Sequence, residues 1–251
     1  MGNVIFNADD FGYSRAINMG IIDAHKYGIL TSTTLMANMP GFEHAVELSK
    51  ENPDLGIGVH LTLTCGRPLL EGHKTIVKED GSFRNISFYE RANFEVDPEE
   101  VYSEWDAQIQ KAIKAGIVPT HLDSHHHAHT FGINREIVIK LARKYNLPVR
   151  NNLSLPDDIR HTNRFEMNFD FVGRNSELRQ EKYLENLIED FKRFETTEVM
   201  CHPGYLDYVV LSTSSLTENR VKILNFLINS QFSRKLKENK DITLTTYNCL
   251  K

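Results

Sequence analysis

Short apolar runs alternate along this chain with longer stretches in which apolar residues recur every three or four positions. The first pattern suits strands buried on both faces, and the second suits amphipathic helices. Residues 3–9 read as a buried strand, followed by a helix from a Ser14 cap to about Tyr27, where Gly28 ends it. Residues 29–36, rich in threonine and aliphatics, suit a second strand. A helix over 41–50 and an apolar strand over 57–63 come next. Residues 65–95 keep no clear period and hold glycine, proline and charge, so they read as a long loop or lid. Asp97-Pro98-Glu99-Glu100 is a helix start, with aspartate as cap and proline in the first turn. That helix reaches about Ala115, and Gly116 closes it.

The alternation continues with a strand at 117–123, a helix near 133–145, a brief strand at 148–150 and another at 165–172. A helix over 176–194 and a strand over 197–201 follow. Ser215 and Glu218 can form a capping box for a helix to about 230, and 242–246 supplies the last strand. About eight strands separated by helices imply a parallel sheet. The expected class is therefore α/β: a (β/α) barrel, TIM-like or slightly irregular, with parallel strands and outer helices. An open doubly wound sheet is the alternative. No Pro/Gly-rich linker divides the chain, so a single domain over 1–251 is expected.

Composition narrows the function classes. Apolar residues make up 40% and charged residues 25%, as in soluble globular proteins. A net charge of −5 argues against a nucleic-acid partner, which calls for a basic face. No run has the length of a membrane helix and the N-terminus lacks a basic-then-apolar signal, so a cytoplasmic protein with no membrane attachment is expected. Cys65, Cys201 and Cys249 are odd in number and far apart, which fits free thiols in a reducing compartment. No CxxC occurs, so a cysteine-based zinc site is excluded.

The candidate chemistry sits where strands end, the place where parallel α/β architectures build their sites. Residues 120–129 hold five of the chain's 11 histidines, too many to explain as packing, since each buried imidazole needs a partner. Neutral imidazole is also the commonest side-chain metal ligand. Asp9 and Asp10 end the first strand, His60 the third, His125 follows the strand at 117–123, and His202 the strand at 197–201. Two neighbouring acids can serve one site only if the strand unwinds into its loop, a turn that Gly12 would permit. Were the strand to persist past Asp123, then Asp123, His125, His127 and His129 would share a face and His126 would look away. His125 and His127 are then the inward candidates and His121 is structural. In His202-Pro203-Gly204-Tyr205 the proline and glycine can present the imidazole to a pocket as a proton donor.

Several runs together resemble one family. They are Asn7-Ala8-Asp9-Asp10-Phe11-Gly12, Gly58-Val59-His60-Leu61-Thr62-Leu63-Thr64, residues 120–129, and Cys201-His202-Pro203-Gly204-Tyr205. In order and content they are similar to the YdjC-type carbohydrate deacetylases, over about residues 4–225, and most of all to those acting on chito-oligosaccharides such as diacetylchitobiose. The resemblance implies a barrel-like fold and removal of N-acetyl groups from acetylated amino sugars, by attack of a metal-bound water on the acetamide carbonyl, as in chitin degradation. It implies Asp10, His60 and His125 as metal ligands, Asp9 as general base and His202 as proton donor. His127, Tyr205 and Asp123 are further substrate-binding candidates. It also implies one divalent ion, described as magnesium, and a homodimer. Two imidazoles, however, suit zinc or another transition metal better. Three other readings need separating: a non-catalytic sugar or metal binder of the same fold, a glycosidase using Asp9 and Asp10, and a non-haem iron oxygenase with a two-histidine, one-carboxylate triad.

Overall fold

The computed structural model describes residues 2–174 and 177–250. Strand β1 (Gly2–Phe11) has no polar face: every residue but Asn3 is buried. A strand of that kind must be covered on both sides, which places it at the middle of the sheet. After it come α1 (Arg15–Tyr27), β2 (Ser32–Leu35), α2 (Phe42–Lys50), β3 (Gly56–Leu61), α3 (Ile86–Tyr89) and α4 (Pro98–Lys114). The chain continues through β4 (Leu122–Ser124), α5 (Asn134–Tyr145), β5 (Arg164–Glu166), α6 (Glu177–Arg193) and β6 (Thr196–Cys201). It ends with α7 (Tyr208–Thr213), α8 (Glu218–Asn229), α9 (Gln231–Glu238) and β7 (Ile242–Leu244).

All strand pairings are parallel, in the order β4-β3-β2-β1-β6-β5, with β7 also pairing β1. Around the sheet the strands follow chain order cyclically, so β1 lies between the first and last parts of the chain. A barrel progresses in this way, whereas a doubly wound sheet reverses at a switch point. The sheet curls into a half-barrel with helices around it, the barrel-like α/β fold expected.

Helix starts follow their caps: Ser14 Oγ accepts from the Ile17 amide at 3.2 Å, and Asp97 Oδ1 from that of Glu99 at 2.9 Å. Other expectations were too generous. The strand expected at 117–123 is ladder only in β4, and that at 148–150 is a single bridge from Val149 to Leu122. The run 165–172 alternates apolar and polar residues, which imitates a strand. It forms β5 and then a 3-10 turn, Phe169–Gly173, that buries Phe169 and Val172 three positions apart. Helix α8 starts after Thr217 without a side-chain cap, so no Ser215–Glu218 box forms, and α7 and α9 were not anticipated. The start expected at Ser176 lies outside the described residues.

The aperiodic segment 65–95 is held by carboxylates rather than by a ladder. Glu104, fully buried on α4, accepts the amides of Leu69 and Leu70, and Glu100 those of Lys74, Thr75 and Ile76. The segment carries α3, and through it Ile86 and Glu90 reach the cavity described below. No helix among the described residues is long and apolar enough to cross a membrane.

Candidate active site

Strand β1 bulges instead of unwinding. Ala8 faces Thr33 and Phe11 faces Leu35, so Asp9 and Asp10 together oppose Thr34 alone. An extra residue of this kind re-aims side chains, and here it brings neighbouring carboxylates to one cavity. Asp10 adopts φ +76°, a left-handed conformation that costs a non-glycine residue about 1–3 kcal/mol.

His60 is buried near the end of β3, and its Nδ1 lies 2.7 Å from Asp123 Oδ1. Asp123 also accepts from Thr34 Oγ1 at 3.1 Å. In the neutral ring, a carboxylate at Nδ1 fixes the proton there and leaves the lone pair on Nε2, which lies 3.6 Å from Asp10 Oδ1. Burial opposes charging His60, but Asp123, Asp9 and Asp10 outweigh it and push its pKa up to about 9; the pocket favours positive charge. His125 follows β4 directly, with Nδ1 3.0 Å from the same Asp10 oxygen. That contact lies off hydrogen-bond geometry, and Asp10 Oδ1 ends buried without a donor. One ligand atom from each of Asp10, His60 and His125 falls within 4.8 Å of the others. An orphaned carboxylate oxygen facing two imidazoles is a donor set that fits a divalent cation.

Among the described residues two other groups have ligand spacing: Asp9 with His60 and Asp123, and His121 with Asp123 and Glu198. A cation already serves them. The guanidinium of the buried Arg150 meets Asp9 at 2.7 and 2.8 Å, Asp123 at 2.8 Å and Glu198 at 2.8 Å. Burial alone would raise Asp9, but Arg150 holds its pKa below the usual carboxylate range. Asp9 is thus an ionised carboxylate beside the candidate ligands.

His202 stands across from it, with Nε2 4.0 Å from Asp9 Oδ2. Asp170 braces the other side: its Oδ2 is 2.8 Å from Nδ1, and its Oδ1 accepts the His202 amide at 3.1 Å. Burial works against an imidazolium, yet Asp170 and the charges of Asp9 and Asp10 raise the pKa of His202 above its ordinary value. An imidazole held in this way can give up a proton only while charged, below its pKa. Asp170→Asn removes the supporting charge, so the alkaline limb of the pH–rate profile is expected to move to lower pH. An unmoved limb would refute the brace.

These groups open on a cavity of about 620 Å³. His127 lines it with a buried, unpartnered Nδ1, and burial lowers its pKa to about 4, so the ring is neutral. His126 lines it too, bonded to Thr64 Oγ1 at 3.0 Å, contrary to the outward orientation expected. The strand geometry behind that expectation ends at Ser124, where residues 125–130 turn in a 3-10 helix with His126 and His127 both at φ +54°. His129 is buried instead against Ser124 and Asn152, and His121 stacks on Tyr247 at 3.7 Å. Asp123, expected among the substrate-binding residues, is fully buried behind His60, supports that ring and does not line the cavity. Tyr205 is off the cavity wall, its hydroxyl donating to Asp23 at 2.6 Å. Arg150, Asp170 and Arg220 were not foreseen, although Arg150 sits at the end of an expected strand.

The profile of the YdjC-like protein family matches residues 3–238. The chain belongs to the YdjC-like family. Its matched span includes the residues placed in and behind the cavity, from Asp9 to Arg220. A carbohydrate deacetylase of Clostridium beijerinckii is 42% identical, over 97% of this chain and 98% of its own. One from Halalkalibacterium halodurans is also 42% identical, over 96% and 99%. A solved structure from Enterococcus faecalis, named for cellobiose-phosphate cleavage, superposes with a TM-score of 0.87 at 34% identity. It covers 99% of this chain and 98% of that one.

Proposed function

We propose that this protein is a metal-dependent N-deacetylase of acetylated amino sugars, acting on short chito-oligosaccharides such as diacetylchitobiose. One observation carries the reading: Asp10, His60 and His125 converge beside an ionised Asp9 and a carboxylate-braced His202, all on one cavity. That the relatives are named carbohydrate deacetylases supports it.

A divalent ion held by Asp10, His60 and His125 would polarise the acetamide carbonyl and lower the pKa of a neighbouring water. Asp9, kept off the ion by its bonds to Arg150, accepts the proton of the attacking water. His202, whose pKa Asp170 raises toward the imidazolium, donates to the departing sugar amine, with Asp170 fixing its ring. Neutral His126 and His127 offer ring nitrogens to sugar hydroxyls at the cavity wall.

A glycosidase reading fares worse. It needs one protonated carboxylic acid in the cavity with a raised pKa, whereas Asp9 and Asp10 are both lowered, held by Arg150 and Arg220. Glu198, raised to about 6, is buried away from the cavity. The oxygenase reading uses the same ligands but gives Asp9 and His202 no task.

The test is acetate release from diacetylchitobiose by metal-stripped protein given magnesium, zinc, manganese or cobalt in turn. Free acetate with an intact sugar chain is expected, and the donor set favours zinc or another transition ion over magnesium. No acetate with any of them would leave a binding protein. Cleaved glycosidic bonds would establish a glycosidase.

A further inference from the structure

Two adjacent aspartates meet two arginines in this site, and the two pairs bond differently. Arg150 grips Asp9 with both terminal nitrogens, Nη1 to Oδ2 at 2.8 Å and Nη2 to Oδ1 at 2.7 Å. A fork of this type occupies both carboxylate oxygens. Arg220 meets Asp10 at one point only, Nη2 to Oδ2 at 2.6 Å. Its Nη1 stays buried without a partner among the described residues, and Asp10 Oδ1 stays without a donor. We propose that Arg220 is the outer anchor of the cation site, fixing Asp10 so that Oδ1 alone meets the ion, and so setting the affinity of the site.

Three features support an anchor rather than a chance contact. Arg220 is itself held at the start of α8: Nε donates to Leu216 O at 2.9 Å, its amide to Thr217 O at 2.9 Å, and its carbonyl accepts from Gly204 at 3.3 Å. Both members of the pair are almost fully buried, so solvent neither screens nor replaces the bond. Asp10 also occupies a left-handed bulge that brings its carboxylate to His60 and His125, at 3.6 and 3.0 Å. The neighbouring Asn219 donates to Asp170 O at 3.1 Å, so one turn of α8 steadies both the candidate ligand and the brace of His202.

The proposal rests on Asp10, His60 and His125 being ligands, and the wild-type protein tests that separately. Stripped wild-type protein, titrated calorimetrically with zinc chloride, should bind one ion per chain; absence of binding would sink the ligand assignment itself. Given wild-type binding, Arg220→Gln should bind zinc about 10–100-fold more weakly, the usual cost of losing a partner of a ligand. Its metal-free form should melt below the wild type, because the buried Asp10 carboxylate loses its charged partner, so binding is compared at a temperature where both are folded. Zinc binding within twofold of wild type, or tighter because a repelling charge has gone, would overturn the anchor. If that variant does not fold, Arg220→Lys replaces it, since one ammonium cannot bond Leu216 O and Asp10 together as the guanidinium does. At least about fivefold weaker binding is then expected, and wild-type affinity would overturn the proposal.

Discussion

Asp10→Ala is expected to purify without the ion and to lose about 10³-fold or more in acetate release, since metal polarisation supplies several kcal/mol of barrier lowering. The geometry says why no neighbour can replace it. Asp9 has both oxygens committed to Arg150, and Asp123 is committed to His60, Thr34 and Arg150. The alanine variant also strands the Arg220 guanidinium, and one uncompensated buried charge costs about 3–5 kcal/mol. Lost activity could therefore report misfolding. Asp10→Asn separates the two, because its side-chain oxygen can still accept from Arg220 while the anionic donor is gone. Elemental analysis of folded Asp10→Asn should show little metal. Full occupancy in that variant would show that the ion, if any, is held elsewhere.

Much of the arrangement was legible before any coordinates, because a strand-end rule needs only the strand's approximate place. The rule locates His60, His125 and His202 even though the strand expected at 117–123 begins only at Leu122 and that expected at 57–63 ends at Leu61. The Asp9-Asp10 pair was located for the right reason but by the wrong device: a bulge inside β1, opposite Thr34, rather than an unwinding at Gly12. No single-sequence signal announces such a bulge, since it arises from the partner strand's register. The same holds for His126, whose left-handed backbone cannot be read from a run of histidines. Arg150, Asp170 and Arg220 were missed because each matters through a long-range partner, 141, 32 and 210 residues away in sequence respectively. Arg150 could have been found by applying the strand-end rule to every strand. Asp170 was hidden by an alternating pattern that imitated a strand, and Arg220 lies inside a helix whose start was misplaced.

His202→Ala tests the other half of the chemistry, and its expected signature is the reverse of Asp10→Asn: metal retained, turnover lost by about 10²–10⁴-fold, the usual worth of a general acid. Among the described residues no hydrogen bond or ion pair joins His202 to Asp10, His60 or His125; its partners are Asp170 at 2.8 Å and Asp9 at 4.0 Å, so removal should leave the cation site intact. The loss should fall on kcat more than on KM, because a proton delivered to the leaving amine stabilises the transition state and not the bound substrate. A substrate whose leaving group needs no proton, such as an activated aryl acetate, should be spared by comparison. If His202→Ala instead emptied the metal site, the histidine would be a ligand. If acetate release from diacetylchitobiose stayed near the wild-type rate, the donor would have to be another group. The unpartnered, cavity-facing His127 would be a poor substitute, since burial keeps that ring neutral where a donor must be charged.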